Sequence, residues 1–125
     1  MRPGDRKQLG GSGEELVAQW LAERDFQILV RNYLCRYGEL DIVARKKELI
    51  VFVEVKRRLT HYFSLSEVIT PSKQRKILQA AKWFIASSSA GDCAYRFDVA
   101  LIEEGEFGPT IDYVERAFTA EMYSG

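Results

Sequence analysis

The stretch "GELDIVARKKELIVFVEVKRR", residues 38–58, decides the fold of this chain. Two apolar runs rich in β-branched residues flank the polar tetrapeptide "RKKE", a pattern typical of a β-hairpin. The second run nevertheless carries Glu54 and Lys56, two residues apart. Because strand side chains alternate between faces, both charges leave the same face of an element otherwise suited to burial. Half-buried charges cost free energy unless they are paired or bind an ion, so this face needs an explanation.

Length and composition indicate one ordinary globular domain. The chain has 125 residues, of which 46% are hydrophobic and 29% charged. No run approaches the roughly 20 apolar residues of a membrane helix, so we expect a cytoplasmic protein that does not associate with membranes. Cys35 and Cys93 stand singly, and His61 is the one histidine. These residues indicate neither a disulfide framework nor a zinc site.

The charge is unevenly distributed. The formal net charge is zero, but residues 56–82 contain seven Lys and Arg against the single acid Glu67. A basic segment beside the charged strand favours contacts with nucleic acid, although a solvated helix face would show the same composition. The residues that we predict to contact nucleic acid are Arg57, Arg58, Lys73, Arg75 and Lys76.

The order of elements predicts the fold class. Residues 1–11, rich in glycine and charge, indicate a flexible arm, and Ser12 with Glu15 has the spacing of a capping box that starts a helix. Three strands follow, then a helix opened by Thr70 and Pro71, then one or two strands. We therefore expect a single α/β domain whose mixed central sheet is flanked by helices, with the second helix carrying a crossover.

The hairpin pattern also predicts which side chains share a face. With the turn centred on Lys46 and Lys47, Asp41 lies opposite Phe52. Asp41 and Glu54 then become diagonal neighbours on one face, with backbones roughly 7–8 Å apart. A slip of one residue would place Asp41 among valines, so the pattern selects the register. The residues predicted on the acidic face are Glu39, Asp41, Val43, Ile50, Phe52, Glu54 and Lys56, and those on the apolar face are Leu40, Ile42, Val51, Val53 and Val55.

Two carboxylates this close repel each other and need a cation. A divalent ion prefers oxygen ligands and completes its shell with water and substrate phosphate, and Mg²⁺ suits this pair better than Zn²⁺. Lys56 would then be available to hold a phosphate or to orient a water molecule. Metal-assisted phosphodiester hydrolysis requires such a combination. The plainer alternative is a cross-strand ion pair on a solvated face.

At this point the residues resemble a known pattern. Asp41, Glu54 and Lys56 match the D…(D/E)xK signature of the PD-(D/E)XK nuclease superfamily. Three longer strings resemble the YraN-type family of small bacterial proteins, which is similar in fold to the archaeal Holliday junction resolvases. They are "GSGEELVAQWLAERDFQILVRNYLCRYGELDIVARKKELIVFVEVKRR", "EVITPSKQRKILQAAKWFI" and "YRFDVALI".

The resemblance implies a restriction-endonuclease-like domain over residues 12–125 and a Mg²⁺- or Mn²⁺-dependent endonuclease that acts on branched DNA. It implies that Glu14, Asp41 and Glu54 bind the metal and that Lys56 is catalytic, and it gives Glu39 no role. Symmetric cutting of a branch would require a homodimer, because two scissions need two sites. A nucleic-acid-binding or scaffold protein that keeps the fold without catalysis is the alternative.

Overall fold

The chain folds as one α/β domain with seven described elements. The computed structural model describes residues 3–58, 69–89 and 92–119, with side chains from residue 13 onward and without that of Arg58. His61 lies outside the described residues. The elements are α1 (Pro3–Glu23), β1 (Gln27–Cys35), β2 (Gly38–Lys46), β3 (Leu49–Arg58), α2 (Pro71–Ala86), β4 (Ala94–Gly105) and β5 (Gly108–Phe118).

The five strands form one mixed sheet in the order β1-β2-β3-β4-β5. Neighbouring strands pair antiparallel except β3 and β4, which are parallel. A parallel pair requires a crossover, and α2 lies in the segment that provides it. The predicted mixed sheet, its flanking helices and the crossover are confirmed, and the fold is that of a restriction-endonuclease-like domain. No helix in the described ranges is long and apolar enough to cross a membrane.

The hairpin register differs from the predicted one by two residues. Lys46 pairs with Leu49, so the turn consists of residues 47 and 48, and Lys47 adopts a φ of 56°. Phe52 consequently pairs with Val43 and not with Asp41, as the sequence had suggested. The error arose because the turn is centred one position later than expected. A shift of two residues preserves the faces, since side chains alternate with a period of two.

Both faces of the central strands are buried under helices. Ile42, Val51 and Val53 share one face, as predicted, and they pack there with residues of α1. Val43, Ile50 and Phe52 pack with Ile77 and Leu78 of α2 on the other.

The alternation of β2 breaks at Asp41. Leu40 was expected beside Ile42, but it packs in the cluster under α2 while Ile42 packs under α1. That expectation was wrong because regular pairing between β2 and β3 ends at Ile42 and Val53. Beyond that point β2 pairs only with β1 among the described strands, as far as Gly38.

Helix α1 begins earlier than the sequence suggested. Its backbone is helical from Pro3, although residues 1–11 were expected to form an arm. Proline is well suited to the first helical position, and the Arg-Lys-Gln-Leu run of residues 6–9 has high helix propensity. Ser12 therefore lies inside the helix, and the predicted capping box was wrong.

A buried carboxylate ties β4, β5 and α1 together. The side chain of Asp98 is fully buried and accepts hydrogen bonds from the Arg96 guanidinium (2.8 Å), the Tyr113 hydroxyl (2.6 Å) and the backbone N–H of Arg116 (2.9 Å). The Tyr113 ring stacks on Trp20 of α1 with centroids 4.4 Å apart. This network connects the position of α1 to the sheet edge.

We expect Asp98→Ala to lower the free energy of unfolding by about 3–5 kcal/mol, because the largely buried Arg96 guanidinium then keeps only its longer contact with the exposed Glu115 among the described residues. Tyr113→Phe, which keeps the stacking on Trp20, should cost only about 1.5 kcal/mol, the value of one hydrogen bond to a charged group. Urea denaturation measures both. Equal effects of the two variants would contradict a central role for the carboxylate.

Candidate functional site

The site begins where β2 and β3 part. The last regular pair of their ladder is Ile42 with Val53. One position further, the Asp41 carboxylate accepts the backbone N–H of Val55 through Oδ2 at 2.8 Å. The side chain thus satisfies a strand donor that no longer has a regular backbone partner. This bond fixes Asp41 beside Glu54, closer than the predicted diagonal.

A cavity of about 360 Å³ opens at this fork between the two helices. It is lined by residues of α1, β2, β3 and α2, so it exists only once both helices have packed on the sheet. The charged residues of its wall are Glu14, Glu39, Asp41, Glu54, Lys56, Lys73 and Lys76. The structure therefore brings all four predicted catalytic residues into one cavity.

The Glu54 carboxyl is the most perturbed group of the site. Only 14% of its side chain is exposed. Burial, the charge of Asp41 and a hydrogen bond with the Asp41 carboxyl raise its pKa to about 8, while Lys56 and Lys73 oppose this rise. The Nζ of Lys56 lies 3.8 Å from Oε1 of Glu54. At neutral pH and without a further cation, the Glu54 carboxyl therefore tends to hold a proton.

A second lysine joins the site from α2. Thr70 caps this helix, as predicted, by accepting the backbone N–H of Lys73 at 3.3 Å. The Lys73 side chain contacts Lys56, and this contact, followed by burial and by the charge of Lys56, lowers the pKa of Lys73. Lys73 was predicted from the sequence to contact nucleic acid, but its position beside Lys56 and Glu54 was not predicted.

Glu14 reaches the cavity from α1 and is held there by β1. Burial, followed by the charge of Asp41, raises the pKa of Glu14, whereas a hydrogen bond from the Asn32 side chain and the charge of Arg31 lower it. Asn32 has a φ of 52°, which asparagine tolerates better than most residues. Asn32 was not predicted from the sequence to belong to the site. The available signal was an asparagine, which is depleted in strands, inside a strand of otherwise high β-propensity.

The remaining predicted residues divide between the cavity and other surfaces. Lys76 lines the cavity, and Glu39 lies exposed on its wall. Arg57 forms an ion pair with Glu104 of β4, and Arg75 is exposed outside the cavity lining. Arg58 ends β3, and its side chain is outside the described set.

The donor set of the cavity determines what it can bind. Within the described ranges, no three His, Cys, Asp or Glu side chains are grouped closely enough to hold an ion by themselves. Four acids and three lysines line the wall, so the fully ionised cavity carries one net negative charge. One divalent cation would reverse this to one net positive charge, which favours binding of a phosphate group.

Comparison with known proteins gives a consistent family assignment. A model of the family described as "Uncharacterised protein family UPF0102" matches residues 13–102, a range that contains the four predicted catalytic residues. The chain is 44% identical over 99 residues to a UPF0102 protein of Caldicellulosiruptor saccharolyticus, covering 78% of this chain and 84% of the relative. A UPF0102 protein of Geotalea daltonii is 40% identical over 116 residues, or 91% of each chain. One from Geobacter metallireducens is 42% identical over 113 residues, covering 90% and 93%.

The pKa of Glu54 makes a prediction for the metal-free protein. Its folded pKa of about 8 exceeds its ordinary value of 4.5. Between these two pH values, Glu54 therefore holds a proton in the folded state but has lost it in the unfolded state. Stability should therefore fall as the pH rises from about 5 to 8. At pH 8, Glu54→Gln should be more stable than wild type by at least about 1.4 kcal/mol, the free energy of one pKa unit.

Thermal or urea denaturation in EDTA at several pH values measures this difference. Glu48→Gln, at the exposed turn of the same hairpin, is the matched control and should follow the wild-type curve. If the stability of Glu54→Gln changes with pH in the same way as that of wild type between about pH 5 and 8, the raised pKa does not belong to Glu54.

Proposed function

This chain belongs to the uncharacterised protein family UPF0102, the YraN family, and from its cavity we propose that it is a metal-dependent nuclease that hydrolyses phosphodiester bonds in branched DNA. One observation carries the proposal. Asp41 and Glu54 are brought side by side in a half-buried cavity with Lys56 and Lys73 next to them. Their proximity costs stability, so it requires a reason other than folding.

The donor chemistry fits Mg²⁺ or Mn²⁺. Asp41 and Glu54 offer hard carboxylate oxygens, and no Cys or His is among the residues that line the cavity. These two residues would hold the ion, with Glu14 as a further acid on the same wall. Two protein ligands suffice for Mg²⁺, which usually keeps several water molecules. When bound, the ion supplies Lewis-acid stabilisation of the phosphate oxygens.

The lysines supply the fixed positive charge. Lys56 lies on the same strand as Glu54 and is 29% exposed, so its ammonium group can reach a phosphate while its stem is held by the sheet. It stabilises the negative charge that develops on the phosphate, or it orients the attacking water molecule. Lys73 adds a second charge beside it, and Lys76 extends the positive surface along α2.

The family resemblance bears on which DNA structure is the substrate. The resemblance to Holliday junction resolvases supports branched DNA, and two cuts in one branch would require two copies of this cavity. A homodimer is therefore part of the proposal, to be measured by sedimentation with and without junction DNA.

A second function is supported by the same cavity. Lys56 and Lys73 already oppose the charge of Glu54, and the described part of the chain has no group of three metal-binding side chains. A protein that binds DNA without cutting it would need these lysines to hold a phosphate, but it would not need a metal ion. The next two predictions separate the alternatives.

We expect calorimetry to detect binding of one Mn²⁺ or Mg²⁺ per chain, and we expect Glu54→Ala to abolish it, because only one carboxylate of the pair remains. The same substitution relieves the repulsion with Asp41, so the metal-free variant should be at least as stable as wild type at pH 8. Glu48→Ala serves as the control and should bind the ion normally. Unchanged affinity in Glu54→Ala would show that the ion, if any, binds elsewhere.

Lys56→Ala should bind junction DNA within a few-fold of wild type, keep its metal and lose cleavage by roughly 10²–10³, the usual cost of one electrostatic donor in a transition state. Lys47→Asn, at the exposed turn of the hairpin and outside the cavity lining, should cleave normally, because asparagine tolerates the positive φ at this position. Cleavage is measured with Mg²⁺ and Mn²⁺ on junction, flap, single-stranded and duplex DNA. Absence of cleavage by wild type on every substrate would leave the binding function, and full activity of Lys56→Ala would refute this site.

A further inference from the structure

Two exposed aromatic rings lie in contact near the cavity. The Tyr37 and Trp83 rings have centroids 5.8 Å apart and planes inclined by 57°. Tyr37 is 37% exposed and Trp83 44% exposed. The other tryptophan, Trp20, is half-buried and stacks on Tyr113. We call Tyr37 and Trp83 the aromatic pair.

The aromatic pair is continuous with the wall of the cavity. Tyr37 directly precedes Gly38, which lines the cavity and whose backbone lies against α2, since a Cβ on Gly38 would be 3.6 Å from the Cβ of Lys76. Trp83 follows Lys76 by seven residues, so it lies on the same side of α2, about 10 Å further along the helix. The pair is therefore a short stretch of nucleotide backbone away from a phosphate in the cavity.

Positive charge surrounds the aromatic pair. The guanidinium carbon of Arg36 lies 5.5 Å from the centroid of the Tyr37 ring. Lys82, the neighbour of Trp83 in sequence, and Lys76 are exposed on α2. Stacking rings beside cations match the two parts of a nucleotide, an apolar base and an anionic phosphate. An apolar protein partner would instead have to desolvate these charges, which is unfavourable.

We propose that the aromatic pair binds an unpaired base of the DNA strand whose phosphate occupies the cavity, with the base stacked on Trp83. This inference rests on the proposed function only in taking DNA as the ligand of the cavity. In a fully paired duplex both faces of an internal base are covered by its neighbours. The Trp83 ring therefore finds no free base face on which to stack. The pair therefore favours forks, flaps and junctions, where unpaired bases exist, over continuous duplex.

Tryptophan fluorescence tests the contact without requiring cleavage. The chain has two tryptophans, so Trp20→Phe makes Trp83 the single reporter. With Ca²⁺ in place of Mg²⁺, so that a divalent cation is available to the cavity, a single-stranded thymidine oligonucleotide should quench the emission of Trp20→Phe, because a base stacks on the Trp83 indole. Trp83→Phe, which reports only Trp20, is the matched control and should show no quenching. Quenching in Trp83→Phe but not in Trp20→Phe would overturn the proposal.

Affinity measurements provide the second test, also with Ca²⁺ in place of Mg²⁺. Trp83→Ala and Tyr37→Ala should each weaken binding of forked DNA by about tenfold, within the usual range for loss of one base stack. Binding of a fully paired duplex of the same length should change less than twofold, because its internal bases have no free face for stacking. Phe107→Ala removes a 97% exposed ring at the turn between β4 and β5 and is the control.

The outcome is independent of catalysis. Quenching and selective loss of fork affinity support the aromatic pair even if wild type never cleaves DNA, in which case only the nuclease proposal fails. Wild-type affinity of both Trp83→Ala and Tyr37→Ala for forked DNA would reject the aromatic pair, whatever Lys56→Ala does to cleavage. An equal loss of fork and duplex affinity would also reject it, because the contact would then not depend on an unpaired base.

Discussion

The hydrogen bond from the Val55 N–H to the Asp41 carboxylate is the interaction on which the site depends. It lies where the β2–β3 ladder ends after Ile42 and Val53, and it lets a side chain take the place of a backbone acceptor. The strands can therefore part without leaving a donor unsatisfied, and the opening between them becomes a cavity. The same bond fixes Asp41 against Glu54. Fold and candidate chemistry thus share one constraint, because the bond that ends the ladder also assembles the acidic pair.

Each helix contributes to the site through a contact that holds it locally. On α1, Glu14 is held by a hydrogen bond from Asn32 of β1, whose left-handed backbone is unusual for a strand. On α2, the Thr70 cap fixes the first turn from which Lys73 extends. Further from the site, Asp98 and the stack of Tyr113 on Trp20 fix α1 to the sheet. The cavity is consequently a property of the whole domain, and a loss of helix packing would disassemble it.

The charge balance of the cavity connects the two proposals. Without a cation, burial and the charge of Asp41 keep Glu54 mostly protonated near neutral pH, and Lys56 and Lys73 oppose this effect. With a divalent ion the wall becomes net positive, and a phosphate is a suitable ligand. The aromatic pair of Tyr37 and Trp83 then offers the neighbouring base a stacking surface. The sites that we propose for the phosphate and for the base are separate in space, so separate substitutions can test the two proposals.

The sequence by itself determined the order of elements, the hairpin, the Thr70 cap and the shared face of Asp41, Glu54 and Lys56, because these follow from local periodicity and local hydrogen bonding. It misplaced the start of α1, since a run of good helix formers extended the helix past three glycines. The hairpin register, the break at Leu40 and the contacts of Lys73 with Lys56 and of Asn32 with Glu14 were decided by tertiary structure. The physical reason is that alternation along a strand fixes which face of the sheet a side chain occupies. The residues that the side chain meets on other strands and helices depend instead on the position of a turn, the end of a hydrogen-bond ladder and packing between segments distant in sequence.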